Sequence, residues 1–340
     1  MAITIYDVAK KAGVGIGTVS RALNNSDKIL PETKARILRI AKELNYKPHA
    51  LAQSLARRKT GTVAVIVPFF LTYFFVEVLK GIQKELTKHK YDLILYSVDH
   101  RKRINNFLDR TLEEKRVDGV IFCSMSMPDE YAQKFMQSPM PIVLVDSVHQ
   151  QLDSIVVENE AGAYRATCQL IKSGHKKIGI INGHMASGPA KMRYKGFRRA
   201  LEDNGIEVNK NFIIFSEIPD ESHGFNREVG FNGMMRLLEN CSELPTAIFA
   251  ASDIQAIGAI QALEKQHLKV PRDMALVGFD DIEFAELFDL TTMRQPMLEM
   301  GQLGVKRLMR RINGQVNDRY FEDIEPELIL RKSCGVISND

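Results

Sequence analysis

Four charged residues stand beside short β-rich runs: Asp146 ends "PIVLVD", Asp253 opens the helical stretch after "TAIFAAS", Asp280 is the first aspartate of "VGFDD", and Arg193 lies in "RYKGF". Charge at a strand end is costly unless it is paired or liganded, and in open parallel sheets ligands sit outside the carboxyl ends of the strands. These residues therefore point either to structural ion pairs or to the grip on a small polar molecule. A second set serves another chemistry. "VGIGTVSRAL" (14–23) places Gly15, Ile16, Gly17 and Thr18 in the first turn of an amphipathic helix that goes on to Ser20 and Arg21. Short side chains there let a helix approach base edges and phosphates closely, and Arg21 is the natural guanine or phosphate contact. Nothing supports catalysis: the chain holds no G-x-G-x-x-G after a strand, no Walker lysine loop, no G-x-S-x-G and no metal cluster.

The elements that must position these residues follow from the totals. With 340 residues, 45% apolar and 26% charged, the chain is globular and long enough for two or three domains. Residues 1–60 hold 12 Lys+Arg against 4 Asp+Glu, whereas the rest holds 34 against 38, so a basic module of net +8 joins a body of net −4. That asymmetry assigns a polyanion partner to the first segment alone. Cys123, Cys168, Cys241 and Cys334 lie far apart with no zinc spacing and are expected to be buried free thiols. "MAITIYDVAKK" is not a leader, which predicts a cytoplasmic protein without a membrane partner. The charge-free run Thr60–Val76 reads as a strand, a turn at Pro68 and a helix start.

Residues 4–44 predict three short helices, "TIYDVAKKAG", "GIGTVSRALNN" and "LPETKARILRIAKELN", with Gly13 closing the first and Pro31 opening the third. Val8, Ala9, Ala12, Val19, Ala22 and Leu23 face inward, leaving Ile16, Gly17, Thr18, Ser20 and Arg21 outward. This is the helix-turn-helix arrangement. From 61 onward eight β-rich runs alternate with helical ones, which predicts parallel sheets covered by helices. They fit one wide sheet or two, and the fresh start after Asn159 favours two Rossmann-like lobes with a cleft between them. The expected division is 1–46 for the headpiece and 47–60 for a linker. The first lobe takes about 61–159 and 293–321, the second about 160–292 and 322–333.

The motifs "TIYDVAKKAGVGIGTVSRALNN", "NYKPHALAQSLARRKTGTVAVIVP", "KSGHKKIGII", "MRYKGFRRAL", "AASDIQAIGAIQAL" and "VGFDDIEFAELFDLTTMRQPMLEMGQLGV" occur in this order. In them the chain resembles the LacI/GalR family of bacterial repressors over essentially its whole length. The resemblance implies an all-α helix-turn-helix domain followed by a two-lobed, periplasmic-binding-protein-like α/β body of type I. It implies Thr4 and Tyr6 on phosphates, Ile16, Gly17 and Arg21 facing bases, Thr18 and Ser20 on backbone or bases, and Asn24 and His49 in the same set. Residues 47–60 would form a hinge helix with Leu55, beside Ala56, wedged into a central minor-groove step. Three departures stand out: Gly15 replaces a usual serine and its helix cap, His49 replaces a common asparagine, and Phe69, Phe70, Leu71 and Thr72 stand where sugar-responsive relatives carry polar residues.

In the body the resemblance implies an effector held by Asp146, Arg193, Asp253 and Asp280 and stacked on Phe74 and Phe75, with His184 a further candidate at a strand end. It predicts a homodimeric regulator, most simply a repressor, on a pseudo-palindromic operator, with no metal and no cofactor. The effector is expected to be a sugar or sugar derivative. A purine or other flat metabolite, control by a phosphocarrier protein near "EMGQLGVKRLMRRING", and no effector at all are the alternatives. On that helix Lys306, Arg307, Arg310 and Arg311 read as a solvated basic face. The rival of another class is a small-molecule-binding α/β enzyme.

Overall fold

The computed structural model describes residues 3–23, 28–46, 59–68, 73–98, 101–114, 116–217 and 223–335. The expectations on Asn24, His49, Leu55, Ala56 and Phe69–Thr72 lie outside the described residues. The chain divides into two compact units, Met1–Gly61 and Thr62–Asp340.

In the first unit, α1 (Ile5–Ala12), α2 (Ile16–Leu23) and α3 (Pro31–Glu43) enclose a small apolar core of Val8, Ala9, Ala12, Val19, Ala22, Ile37, Ile40 and Ala41. Thr4 starts α1 through a reciprocal bond with Asp7, and Pro31 supplies the preset φ of a first helical residue. Gly13 ends α1 in the left-handed region, φ 63°, its N–H turned back to Ala9 O and Lys10 O. A side chain there would oppose the tight turn that leads to α2.

The second unit holds two six-stranded sheets. The first has the order β11-β5-β4-β3-β1-β2, with β1 (Thr62–Val67), β2 (Asp92–Ser97), β3 (Gly119–Cys123), β4 (Ile142–Val145), β5 (Asp153–Val157) and β11 (Phe321–Ile324), all parallel. Successive side chains alternate between two cores, as strand pleating requires. Val63, Val65, Ile121 and Val143 face α4 (Tyr73–His89) and α12 (Met297–Ile312), and Ala64, Ile66, Val120 and Phe122 face α5 (Arg101–Glu113) and α6 (Asp129–Gln137). The second has the order β12-β10-β9-β8-β6-β7, with β6 (Ile178–Asn182), β7 (Ile213–Phe215), β8 (Ala247–Ala250), β9 (Ala275–Asp280), β10 (Thr291–Arg294) and β12 (Glu327–Ile329). Only β12 runs antiparallel to its neighbour among these described strands. The second sheet is covered on one face by α7 (Asn159–Lys172) and α8 (Gly188–Asp203), and on the other by α9 (Arg227–Asn240) and α10 (Asp253–Lys265), joined by the short α11 (Glu283–Leu287).

The chain crosses between lobes three times: from β5 into α7, from β10 into α12, and from β11 into β12. This corrects two expected boundaries. Residues 293–294 complete β10 in the second lobe, and 322–324 pair with β5 in the first. The lobes also meet through apolar side chains: Ile257 and Ile282 share a core with α4 and α12, and Tyr73 meets Phe284 edge-on at 5.2 Å. Within the first lobe α4 and α12 pack backbone to backbone. A Cβ on Gly81 would lie 2.0 Å from Leu298 O, and one on Gly301 would lie 2.2 Å from Val78 O.

The basic face expected on α12 is half correct. Lys306 and Arg310 are exposed, whereas Arg307 is buried and Arg311 half-buried, both bonded to Asp153. The thiols also divide: Cys123 and Cys334 are buried, while Cys168 and Cys241 are half-exposed. Among the described residues no helix is long and apolar enough to cross a membrane.

Candidate functional site

Arg193 projects from α8 and is 5% exposed. Its Nε donates to Asn159 Oδ1 at 2.8 Å, Nη1 donates to Ala251 O and lies 3.7 Å from Asp280 Oδ1, and its guanidinium covers the Phe279 ring at 3.8 Å. Burial works against its charge, and the carboxylates of Asp280, Asp146 and Asp253 sustain it. Asp280 ends β9 with φ 130°, a costly backbone state for a residue with a Cβ. Its Oδ1 accepts from Gln295 Nε2 at 2.5 Å, and its main-chain oxygen accepts from Gln295 N at 3.1 Å. Asp146 follows β4 with φ 54° and accepts from the hydroxyl of Ser124, itself at φ 53°, at 2.5 Å. Burial pushes the Asp146 carboxyl up to about 6, against the Ser124 bond and the Arg193 charge. Burial also raises Asp280, against the pull of Arg193. A first-lobe acid and a second-lobe Arg–Asp pair therefore share one electrostatic neighbourhood at the strand ends.

Two of the expected contact residues, Asp253 and Phe75, are buried. Asp253 has no exposed surface; Oδ1 accepts from the Thr292 hydroxyl at 2.5 Å and Oδ2 from Ile282 N–H at 3.0 Å. It ties the exit of β9 to β10 behind the cluster, and burial together with the nearby Asp280 raises its pKa. Phe75, 7% exposed, packs in the first-lobe core, so only the half-buried Phe74 beside it retains open ring surface. His184 is engaged locally, its Nδ1 accepting from Ala186 N–H at 3.1 Å. Asn159, Ser124 and Gln295 escaped the sequence reading, because neutral polar side chains carry no pattern that marks them as buried. The junction of a strand run with a helix run at 157–159 and 294–297 was the available signal.

On the headpiece, Tyr6 is 68% and Ile16 38% exposed, Gly17 and Arg21 are exposed, and Thr18 and Ser20 are half-buried. Arg21 lies back along α2: its Nη2 is 3.8 Å from where a Gly17 Cβ would stand. The Thr4 hydroxyl donates to Asp7 Oδ2 at 2.7 Å, so a phosphate bond from Thr4 requires that hydroxyl to turn away from Asp7. Gly15 caps α2 without a side chain, its carbonyl accepting from Thr18 N at 2.9 Å and Val19 N at 3.2 Å, and the space around it is open. Gly15→Ser is therefore expected to fit, to stabilise the headpiece by a few tenths of a kcal/mol, and to tighten operator binding about two- to fivefold through one added phosphate bond. Titration of the two proteins on one duplex checks this.

Away from the cluster, a groove of about 520 Å³ runs between the end of α4 and α12, lined by Glu85, His89, Lys306, Arg310 and Tyr320 among others.

Residues 4–49 match the family described as bacterial regulatory proteins, lacI family, and residues 167–334 match a periplasmic binding protein-like domain. The chain is 33% identical over 339 residues to catabolite control protein A of Priestia megaterium, covering 98% of this chain and 99% of that one. It is 36% identical over 336 residues to the ribose operon repressor of Haemophilus influenzae, covering 97% and 98%. Among solved structures, the lac repressor dimer bound to operator and the anti-inducer ONPF superposes with a TM-score of 0.85 at 26% identity, covering 98% and 99%.

Proposed function

The chain belongs to the lacI family of bacterial regulatory proteins, and on that premise we propose that it is a DNA-binding transcriptional repressor whose grip on its operator is set by a small effector. It acts as a homodimer that seats two headpieces on the half-sites of a pseudo-palindromic duplex. The cytoplasm, where the DNA lies, is its place of work. Gly17, Arg21 and the exposed Ile16 form the base-facing edge, with Ile16 suited to a thymine methyl. Tyr6, Thr18, Ser20 and, on turning, Thr4 take the phosphates. Asn24, His49, Leu55 and Ala56 complete the DNA contacts.

The observation that carries the effector reading is the convergence of Asp146 from one lobe with Arg193 and Asp280 from the other, at two strained strand ends. Phe74 is assigned to stack on the ligand, and Asp253 holds the wall behind. Charged and polar groups on both lobes read a molecule that bridges them, and a coupling of about 1–3 kcal/mol changes operator occupancy about 5–150-fold. A sugar or sugar derivative is the effector class, in keeping with the ribose operon repressor among the relatives.

The test is footprinting of the full-length protein on genomic DNA at low salt, with and without metabolite extract. Protected palindromic sites that respond to the extract support the reading, and their absence overturns it. Arg21→Ala is expected to cost about 1–3 kcal/mol on the specific site. A much smaller loss on unrelated duplex identifies a base contact, and an equal loss identifies a phosphate contact.

A further inference from the structure

The exit of β9 carries two non-glycine residues with positive φ in succession, Asp280 at 130° and Asp281 at 57°. Such backbone states persist only where the surroundings over-determine them. Asp281 is where this turn is bolted down. Its side chain is 8% exposed, and its carboxylate accepts from Arg294 Nε at 2.7 Å through Oδ2 and from Arg331 Nη2 at 2.8 Å through Oδ1. Arg294 ends β10 directly beside Asp280 in the parallel register, and Arg331 follows β12. Both arginines are themselves fixed. Arg294 Nη1 donates to Glu327 Oε2 at 3.2 Å, Arg331 Nη1 donates to Leu290 O at 2.7 Å, and Arg331 N donates to Thr291 Oγ1 at 2.9 Å. A turn that only joined β9 to α11 would need neither strained residue nor two guanidiniums, since glycine reaches these φ values without cost.

We propose that Asp281 is a positioning residue for the effector site: its bonds to Arg294 and Arg331 hold the Asp280 backbone in the strained state that aims the Asp280 carboxylate at Arg193. This rests on the effector reading above and adds to it a group of residues that touch no ligand. Two forces act through the turn. With the Asp281 carboxylate in place, two guanidiniums from separate strands are drawn onto one residue, and the residue before it is left no room to relax. With the carboxylate gone, the same guanidiniums face one another across the turn without their shared counterion and push it open. A site whose supporting residues loosen loses affinity although every contact group is still present.

The experiment is calorimetric titration of the full-length protein, which has no tryptophan to serve as an optical probe. The probes are D-ribose, D-glucose, cellobiose and hypoxanthine, and at least one is expected to bind the wild type. Asp281→Asn keeps the shape and the tolerance of a left-handed φ but removes the charge, and is expected to weaken that probe by about tenfold or more. Arg331→Met serves if the asparagine variant lacks a cooperative unfolding transition, with the same expected loss. Arg331→Lys, which returns one charged donor, is expected to recover binding to within about threefold of wild type. A role in packing alone would reverse that order, because methionine fills the apolar part of the space better than lysine. Binding within about threefold of wild type in a folded Asp281→Asn or Arg331→Met protein overturns the proposal and leaves the effector reading standing. A lysine variant no better than the methionine variant does the same. A wild type that binds its operator but no probe overturns the effector reading, and the proposal with it.

Discussion

Arg193→Ala is expected to lower the unfolding free energy by about 3–5 kcal/mol near pH 8, because it strips a buried cluster of the cation that faces its carboxylates. The guanidinium has two direct partners in Asn159 and Ala251 O and sits over Phe279, so packing is lost along with charge. The pH dependence separates the two. Burial already raises Asp280, and raises Asp146 from 3.8 to about 6, against the pull of Arg193. Without the guanidinium both carboxyls rise further in the folded protein, while in the unfolded chain they keep their ordinary value. A raised carboxyl contributes its full stability below the unfolded value and loses it as pH climbs through the folded one. The gap between wild type and variant should therefore be smallest near pH 5 and widest near pH 8. Urea unfolding at the two pH values checks it, and a gap that does not widen would show that Arg193 serves packing alone. The same variant should lose effector binding about a hundredfold or more, the cost of removing a buried charged donor.

Asp153→Ala is expected to cost a similar 3–5 kcal/mol, with a gap that also narrows toward acid but in a lower pH window, below the ordinary carboxylate value. Asp153 has no exposed side-chain surface and accepts four bonds at 2.8 Å: Oδ2 from Arg307 Nε and Arg311 Nε, Oδ1 from Arg311 Nη2 and Tyr320 N. Burial pushes this carboxyl up, but the two arginines and the Tyr320 N–H outweigh it and hold it below 3.8. Its contribution is therefore present above the ordinary value and fades as pH falls through the folded one. The alanine variant leaves Arg307, 5% exposed, without its principal counterion and frees the segment 313–320 that leads into β11. Hydrogen exchange of 313–324 should accelerate in step with the lost stability. Exchange confined to its wild-type rate would assign the cost to α12 instead.

The headpiece was legible because its signals are local: Gly13 needs a left-handed turn, Pro31 fixes a first helical residue, and the inward residues recur at helical spacing. The eight expected strand runs were legible for a related reason, being apolar runs, six of them buried along most of their length and two, in β2 and β7, half-buried at sheet edges. The others were not. "DSIVV", "TTMR", "FEDI" and "ELI" are three to five residues long and each carries charged or hydroxyl residues, which lie at a sheet edge or are spent inside. Thr291 and Thr292 are fully buried, yet their hydroxyls meet Arg331 O and Asp253. Arg307 looks like a solvated cation beside Lys306 until the fold delivers Asp153 from 154 residues earlier in the chain. Asp253 stands beside Ser252, which caps α10, and only the depth of that helix start shows that its carboxylate is bonded to Thr292 and Ile282. What the sequence conceals is partnership over long separations.

The glycine seam between α4 and α12 has a mechanical consequence. Two helices that touch through main chain at Gly81 and Gly301 cannot slide past one another without breaking steric contact, so they move as one beam. The first turn of α12 begins at Met297, two residues beyond Gln295. A nudge at that crossover, however small, is handed to α4 without being absorbed by soft side chains on the way. A stiff transmission of this kind suits a molecule that must turn the arrival of a few atoms into a change of grip.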